Sequence, residues 1–478
     1  MDKRTKIVCT MGPANEDDEV LRQLILHGMN VARFNFSHGS HEYHRNNIDR
    51  VRRLSAELNI PVAILLDTKG PEIRTGLLEN GQPVELVAGA RVTVTTDECV
   101  GNAERFCLDY ANLPAEVAVG STILIDDGLI GLTVLGVDGN DILCEVQNGG
   151  MLGEKKGVNL PDINVGLPAV TEQDRADIMF GCELGIDAVA ASFVRDAGAV
   201  TEIREICESC GSPDVQIFSK IESAQGVRNF DEILQVSDGI MVARGDLGVE
   251  MPEAEVPHIQ KEIIRKCNLA YKPVITATQM LDSMTHNPRP TRAEVTDVAN
   301  AVYDGTDCVM LSGETAAGKY PVDAVRTMSE ICVETEKYLL ERTEFHSRQG
   351  LRNVNSSIGH AAVTVAGRVG ATCIVAPTQS GRTARIVANY RTKLPIYAIS
   401  PSKKTIRRCC FYWGVTGLLG VAQSKLGDLV VSSLELVKAH GLVQKGDLAV
   451  LTAGDPATSP YAGSYITSTN VLLAAQIR

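Results

Sequence analysis

Val215-Gln216-Ile217-Phe218-Ser219-Lys220-Ile221-Glu222 is a Val/Ile-rich run that ends on two charged side chains. The run 239–243 repeats this form and leads into Arg244-Gly245-Asp246, and 273–278 and 308–311 do so again. Helical periodicity fills the gaps, notably over 258–269 and 292–303, and a long helix over 322–340 follows the last run. Short apolar runs alternating with amphipathic helices are the mark of parallel β/α units. Working backwards, a helix over 171–183 precedes a strand at 188–193. Strands at 6–10, 30–36 and 62–67 lie at the start, with helices over 17–27 and through Glu57 between them. Eight strand–helix units close naturally into a (β/α)8 barrel; an open doubly wound sheet is the alternative.

The pattern breaks between the third and fourth units. From Gly70 to about Gly166 the period falls to 2, as at 91–96 and 122–125, with turns such as Asp138-Gly139-Asn140-Asp141. This predicts an antiparallel β domain inserted over 70–167, with the barrel formed by 1–69 and 168–345. The alternation restarts after Glu344-Phe345-His346-Ser347, with strands at 372–376, 395–399 and 448–451, so 346–478 reads as a third domain, of α/β type with about five strands.

The 478 residues are 44% hydrophobic and 22% charged, an ordinary globular composition. A formal net charge of −13 gives a nucleic-acid role no support. No apolar run approaches the roughly 20 residues of a membrane span, and Met1-Asp2-Lys3-Arg4 leads straight into a strand. The 13 cysteines are scattered, as expected of reduced thiols in the cytoplasm. Cys207 and Cys210 form a C-x-x-C without the second pair a zinc site wants, and read as bystanders at a helix end.

An active site on this barrel lies where the strands end. There stand Arg33, Asn35, Ser37 and His38; Asp67, Thr68 and Lys69; Lys220 and Glu222; Arg244, Gly245 and Asp246; Thr276, Thr278 and Gln279; Ser312 and Glu314. Helix capping accounts for the Ser and Thr residues but poorly for Lys220 and Arg33. Glu222 and Asp246, from neighbouring strands, can share one hard divalent cation. Lys220 points to the same face as Glu222 and can stabilise an oxyanion such as an enolate. Arg33 offers a forked donor to phosphate or carboxylate. Asn35, Ser37, Asp67 and Thr68 form an all-oxygen set suited to a monovalent cation, or to ordinary hydrogen bonding. In the third domain, Thr378-Gln379-Ser380-Gly381-Arg382-Thr383 follows a strand and opens a helix, either an anion cradle or a capped turn.

The sequence resembles the pyruvate kinase family. The motifs are Thr5 to Pro13, Asn30-Val31-Ala32-Arg33-Phe34-Asn35-Phe36-Ser37-His38-Gly39, Asp67-Thr68-Lys69-Gly70-Pro71-Glu72-Ile73-Arg74, Lys156-Gly157-Val158-Asn159-Leu160-Pro161, Ser219-Lys220-Ile221-Glu222, 241–248, 276–281 and 304–321. The resemblance implies transfer of the phosphoryl group of phosphoenolpyruvate to ADP, giving pyruvate and ATP. It implies that Arg33 binds the substrate phosphate, Lys220 stabilises the enolate, and Glu222 and Asp246 hold Mg²⁺ (or Mn²⁺). Gly245, Asp246 and Thr278 would contact phosphoenolpyruvate. Asn35, Ser37, Asp67 and Thr68 would bind K⁺, and Arg74, Lys156 and His38 the nucleotide. Glu72 matches the K⁺-dependent members, whereas the others carry Lys there. The insert would be a mobile β-barrel lid and the assembly a homotetramer. Thr378, Ser380, Gly381, Arg382 and Thr383 would hold the phosphate of an allosteric effector, whose identity the divergent stretch 454–470 leaves open. Two other readings stand beside this one: a barrel lyase or mutase that forms the enolate without ADP, and a non-catalytic metabolite sensor.

Overall fold

The computed structural model describes residues 3–163, 165–339, 353–454 and 469–478. Eight strands pair in parallel in chain order: β1 (Lys6–Thr10), β2 (Met29–Asn35), β3 (Ala63–Asp67), β4 (Ala188–Ala191), β5 (Gln216–Ile221), β6 (Gly239–Ala243), β7 (Val274–Ala277) and β8 (Cys308–Leu311). β8 closes on β1 with Lys6 opposite Cys308, so the sheet is a barrel rather than an open fold. Residues facing in and out along the strands are both buried, which is why the runs are continuously apolar instead of alternating. The outer helices begin on side-chain caps. Asp17 accepts from the N–H groups of Glu19 and Val20, and Thr171 and Thr291 form capping boxes with Asp174 and Glu294.

Two expected strands end early for a physical reason. The 188–193 run stops at Ala191 and the 273–278 run at Ala277, because Phe193 (φ 51°) and Thr278 (φ 68°) turn left-handed and leave the ladder. Positive φ is a genuine outlier for a β-branched residue such as Thr278, and such strain collects at functional sites. Short helices that the sequence pattern did not reveal, Arg244–Glu250 and Gly313–Ala316, follow β6 and β8 directly.

The base of the barrel carries a fourfold repeat. Asn30, Asp187, Asp238 and Asp307 stand at the start of β2, β4, β6 and β8. Their side-chain oxygens accept from the N–H groups of Ile7, Ile64, Ile217 and Val274 on the preceding odd strands, at 2.9–3.0 Å. Each also meets a cation: Lys3, Arg407, Arg204 and Arg391 respectively. Arg407 and Arg391 come from the third domain, so two of these latches fasten that domain to the barrel.

Between β3 and β4 lies a seven-stranded sheet, ordered Ile73–Arg74, Gly157–Asn159, Thr122–Ile125, Ile130–Asp138, Asp141–Asn148, Arg91–Thr95, Arg105–Cys107. Its pairs are antiparallel except the last. A bridge between Thr75 and Leu108 joins its two edges, so the sheet curls back on itself. The predicted turn at Gly139 and Asn140 connects the longest pair, with Gly139 at φ 60°. The third domain is a five-stranded sheet of β9 (Cys373–Pro377), β10 (Ile396–Ser400), β11 (Val415–Leu419), β12 (Leu448–Ala453) and β13 (Val471–Gln476). Its order is β11-β10-β9-β12-β13, parallel except for the terminal pair. The expected domain boundary near 345 and most of the divergent 454–470 stretch lie outside the described residues.

Candidate active site

Lys220, near the end of β5, is the hub of the barrel mouth. Its Nζ donates to Asp67 Oδ1 at 3.0 Å and to Ser192 Oγ at 2.7 Å, and lies 3.0 Å from Glu222 Oε1. Burial alone lowers a lysine pKa, but the Asp67 and Glu222 charges outweigh it and hold Lys220 above its usual value. The ammonium therefore stays charged throughout the physiological range. Arg33, at the end of β2, donates from Nε to Asp67 Oδ2 at 2.5 Å and from a terminal nitrogen to Thr10 Oγ1 at 3.0 Å. Asp67 is completely buried and accepts from both cations, one on each oxygen; burial opposes its ionisation, yet Arg33 and Lys220 keep its pKa low.

Glu222 is 1% exposed. One oxygen accepts from the Phe193 N–H at 2.6 Å; the other has no aligned hydrogen-bond donor despite its 3.0 Å approach to Lys220. Burial first, then the Asp246 charge, pushes its pKa up to about 7, against the pull of Lys220. Asp246 stands in the first turn of the helix Arg244–Glu250. At the N-terminus of that helix the Gly245 N–H donates to Thr278 Oγ1 at 2.8 Å, and that hydroxyl donates to Ala277 O. Arg244 turns away from the mouth: it pairs with Asp297 and donates to the carbonyls of Ala277 and Thr278, which fixes the left-handed turn.

Thr10, Arg33, Asn35, Asp67, Lys220, Glu222, Asp246, Thr278 and Ser312 line one cavity of about 310 Å³. A second, of about 320 Å³, is lined by residues of barrel and insert; Asp246 lines both. Arg74 and Lys156 face this second cavity, as does Glu72. Arg74 pairs with Glu72 at 2.5 Å, and Lys156 with Asp126 at 3.0 Å.

The structure thus gathers Arg33, Lys220, Glu222, Asp246 and Thr278 around one space, with Gly245 bonded to Thr278. Of the expected monovalent-cation set, Asn35 and Asp67 are register partners on β2 and β3 and line the same cavity. Thr68 is turned toward β4, accepting from the Ser192 N–H, and Ser37 donates its N–H to Asn35 Oδ1; neither lines the mouth. His38 is exposed and lines neither cavity. Sequence reasoning missed Thr10 and Ser192, which stand at the ends of β1 and β4. The positional rule that singles out the others, a polar side chain at or just past a strand end, applies to these two as well. Asp126 and Asp127, facing Asp246 from the insert, were also missed, and no strand-end pattern marks them. Cys207 and Cys210 sit at the end of the helix Ala197–Ser209.

In the third domain, the Gly381 N–H donates to Thr378 Oγ1 at 2.9 Å and Gly381 takes φ 84°, a left-handed turn that opens the helix Arg382–Asn389. Thr383 and Thr469 share a hydroxyl–hydroxyl bond.

Comparison with known proteins agrees with this geometry. Residues 2–325 match the family model described as pyruvate kinase, barrel domain, and residues 356–470 that of the pyruvate kinase alpha/beta domain. The chain is 50% identical over 460 residues to a pyruvate kinase of Geobacillus stearothermophilus, covering 95% of this chain and 78% of that protein. It is 48% identical over 457 residues to one from Clostridium acetobutylicum, covering 95% and 96%. A crystal structure of a pyruvate kinase from Cryptosporidium parvum superposes with a TM-score of 0.93 at 40% identity, over 100% of this chain and 96% of that one. By sequence and by structure, then, the chain belongs to the pyruvate kinase family.

Proposed function

We propose that phosphoryl transfer takes place in the mouth cavity with Lys220 as its central residue. As a pyruvate kinase the chain moves the phosphoryl group of phosphoenolpyruvate to ADP, giving pyruvate and ATP. The observation that carries the assignment is the contact of one lysine, its side chain 11% exposed, with Asp67 and Glu222, beside Arg33 and Asp246 in a single cavity.

Arg33 exchanges part of its grip on Asp67 for the substrate phosphate. An ADP oxygen attacks phosphorus in line while the bond from phosphorus to the enol oxygen breaks. Lys220 neutralises the transferring group and then the enolate oxygen. The enolate takes a proton at carbon, delivered through the Thr278 hydroxyl and water. Arg74 and Lys156 release Glu72 and Asp126 to hold the nucleotide phosphates, whereas the assignment of His38 to the nucleotide rests on resemblance alone.

The residues present fit a divalent ion: Glu222 offers a buried oxygen without an aligned donor, and Asp246 a second carboxylate on the same cavity. Among the described residues no three His, Cys, Asp or Glu side chains form a complete cage, so substrate oxygens and water would fill the remaining positions. Held by Glu222 and Asp246, Mg²⁺ or Mn²⁺ would supply positive charge to offset the negative charge of the reacting substrate. K⁺ would take Asn35, Ser37, Asp67 and Thr68, a reading supported by the resemblance of Glu72 to the K⁺-dependent members. The loop 378–383 would take an effector phosphate, and the protein would work in the cytoplasm as a homotetramer. No described helix is long and apolar enough to cross a membrane.

A coupled assay with phosphoenolpyruvate, ADP, Mg²⁺ and K⁺ tests the reading. Pyruvate should form only with ADP present; formation without it would mean a lyase. Full activity in buffer free of K⁺ and Na⁺ would remove the monovalent site.

A further inference from the structure

Two linkers join the insert to the barrel, and both lie against the loop that follows β4. On the outgoing side, Gly70 takes φ 74° and donates its N–H to Asp174 Oδ1 at 3.0 Å. It packs so closely that an added Cβ would stand 2.8 Å from the Ser192 Cβ and from the Phe193 ring. On the return side, Arg195 lays its guanidinium fork over the chain. One terminal nitrogen donates to Val165 O at 2.7 Å and the other to Leu167 O. The residue between is held from the opposite direction: the Gly166 N–H donates to the Tyr110 hydroxyl at 2.9 Å and to Glu116 Oε1 at 3.1 Å, both in the insert. The Val165 and Leu167 side chains pack on the insert's own core. Barrel and insert thus share residues 165–167, and Arg195 is the barrel's grip on them. The same loop also faces the mouth. Ser192 Oγ accepts from Lys220 at 2.7 Å, and the Phe193 N–H donates to Glu222 Oε2 at 2.6 Å. Phe193 stands at φ 51°, a conformation that its surroundings must hold in place. Beyond it the Arg195 carbonyl is fixed by the Asn229 side chain, which donates to it at 2.9 Å.

We propose that Arg195 is a positioning residue for the phosphoryl transfer. By gripping the return linker from the loop that carries Phe193, it makes the hydrogen bond from Phe193 to Glu222 depend on where the insert stands. The carboxylate offered to the divalent ion is then set by the linker as well as by the barrel. The proposal rests on the reading of Glu222 as a ligand of that ion. A guanidinium suits the task because its rigid fork spans two carbonyls at once, whereas an ammonium is a single point of attachment. The chemistry of the hold is neutral at the far end: both acceptors are backbone carbonyls, so the linker keeps no carboxylate that would compete with Glu222 for the metal.

Mn²⁺ binding to the full-length protein, followed by electron paramagnetic resonance without substrate, tests it together with hydrogen exchange of the Phe193 amide. Arg195→Met should weaken Mn²⁺ binding roughly tenfold or more, the usual effect of losing a support behind a ligand. The Phe193 amide should exchange roughly fivefold faster, the worth of one hydrogen bond. The Val274 amide at the barrel base, bonded to Asp307, should keep its rate and so report an intact fold. Arg195→Lys should recover part of both losses, and it carries the same comparison if Arg195→Met does not fold. Tyr110→Phe loosens the linker from the insert side alone; it should speed exchange at Gly166 and leave both Mn²⁺ affinity and the Phe193 amide as in wild type. Normal Mn²⁺ affinity in Arg195→Met, where Glu222→Gln has lost it, would overturn the proposal, as would an equal loss in Tyr110→Phe. Normal Mn²⁺ affinity in Glu222→Gln would instead remove Glu222 as a ligand; the Phe193 amide then decides alone, and an unchanged rate in Arg195→Met would overturn the coupling.

Discussion

Both ends of the barrel hold buried ions, and the two ends are built on opposite plans. At the base, Arg391 donates to Asp307 Oδ1 at 2.8 Å and to Gly305 O at 2.6 Å, while Asp307 Oδ2 takes the Val274 N–H. The charges cancel locally and little of the pair meets solvent. At the mouth, two cations share Asp67, Glu222 keeps an oxygen without an aligned donor, and a cavity adjoins the whole group. A closed ion network contributes to holding domains together; one left incomplete beside an open space is ready to exchange partners with a substrate. The general asymmetry of β/α barrels, chemistry at the C-terminal face and stability at the other, is thus visible here in which charges are satisfied.

The comparison predicts opposite responses to losing one cation. Arg391→Met leaves Asp307 buried and unpaired, which costs about 3–5 kcal/mol. The urea midpoint should fall steeply while turnover per folded molecule holds; an unshifted midpoint would break the distinction. Lys220→Met should do the reverse. Turnover should fall roughly 10²- to 10³-fold, about 2.7–4 kcal/mol of transition-state stabilisation, with a far smaller change in melting temperature. Near-normal turnover would remove Lys220 from the chemistry. Asp67→Asn sits between the two, because it orients Lys220 and Arg33 without being placed on the reacting atoms. Loss of such a supporting partner typically costs about 10–100-fold. In steady-state kinetics KM for phosphoenolpyruvate should rise along with the fall in kcat, since Arg33 is released as well; a change in neither would mean that Asp67 only fills space.

The mouth was far more legible in the sequence than the base. Residues after strands break an apolar run with a charge, so Lys220, Glu222, Arg33 and Asp246 stand out against Ile, Val and Ala. Asp187, Asp238 and Asp307 precede strands, where an acidic residue looks like any turn. Their role appears only when β3, β5 and β7 are laid beside β4, β6 and β8 and an arginine arrives from far along the chain, as Arg407 does for Asp187. Strand lengths were misjudged at Phe193 and Thr278 because positive φ imposed by tertiary contacts leaves no mark on hydrophobic periodicity. The Asp67 contacts were hidden for a related reason. Its sequence neighbours suggested a cation-binding oxygen set, whereas the fold brings Lys220 to it across 153 positions of chain.

Ser192 gives the smallest and most discriminating test of the mouth. Its hydroxyl stands 2.7 Å from Lys220 Nζ and also donates to Thr68 O at 2.6 Å, so it links the central lysine to the end of β3. Removing it leaves Lys220 its two carboxylates, and the loss should therefore be near the ordinary value of one hydrogen bond, about 1 kcal/mol, or roughly fivefold in kcat. The site is buried and the hydroxyl small, so Ser192→Ala creates almost no void and stability should change little. If Lys220 is positioned by Asp67 and Glu222 with Ser192 fixing only its direction, the effect should fall on kcat and leave KM for ADP alone. A loss as large as that of Lys220→Met would mean that the hydroxyl itself touches the reacting group, and β4 would then supply a catalytic residue rather than a positioning one.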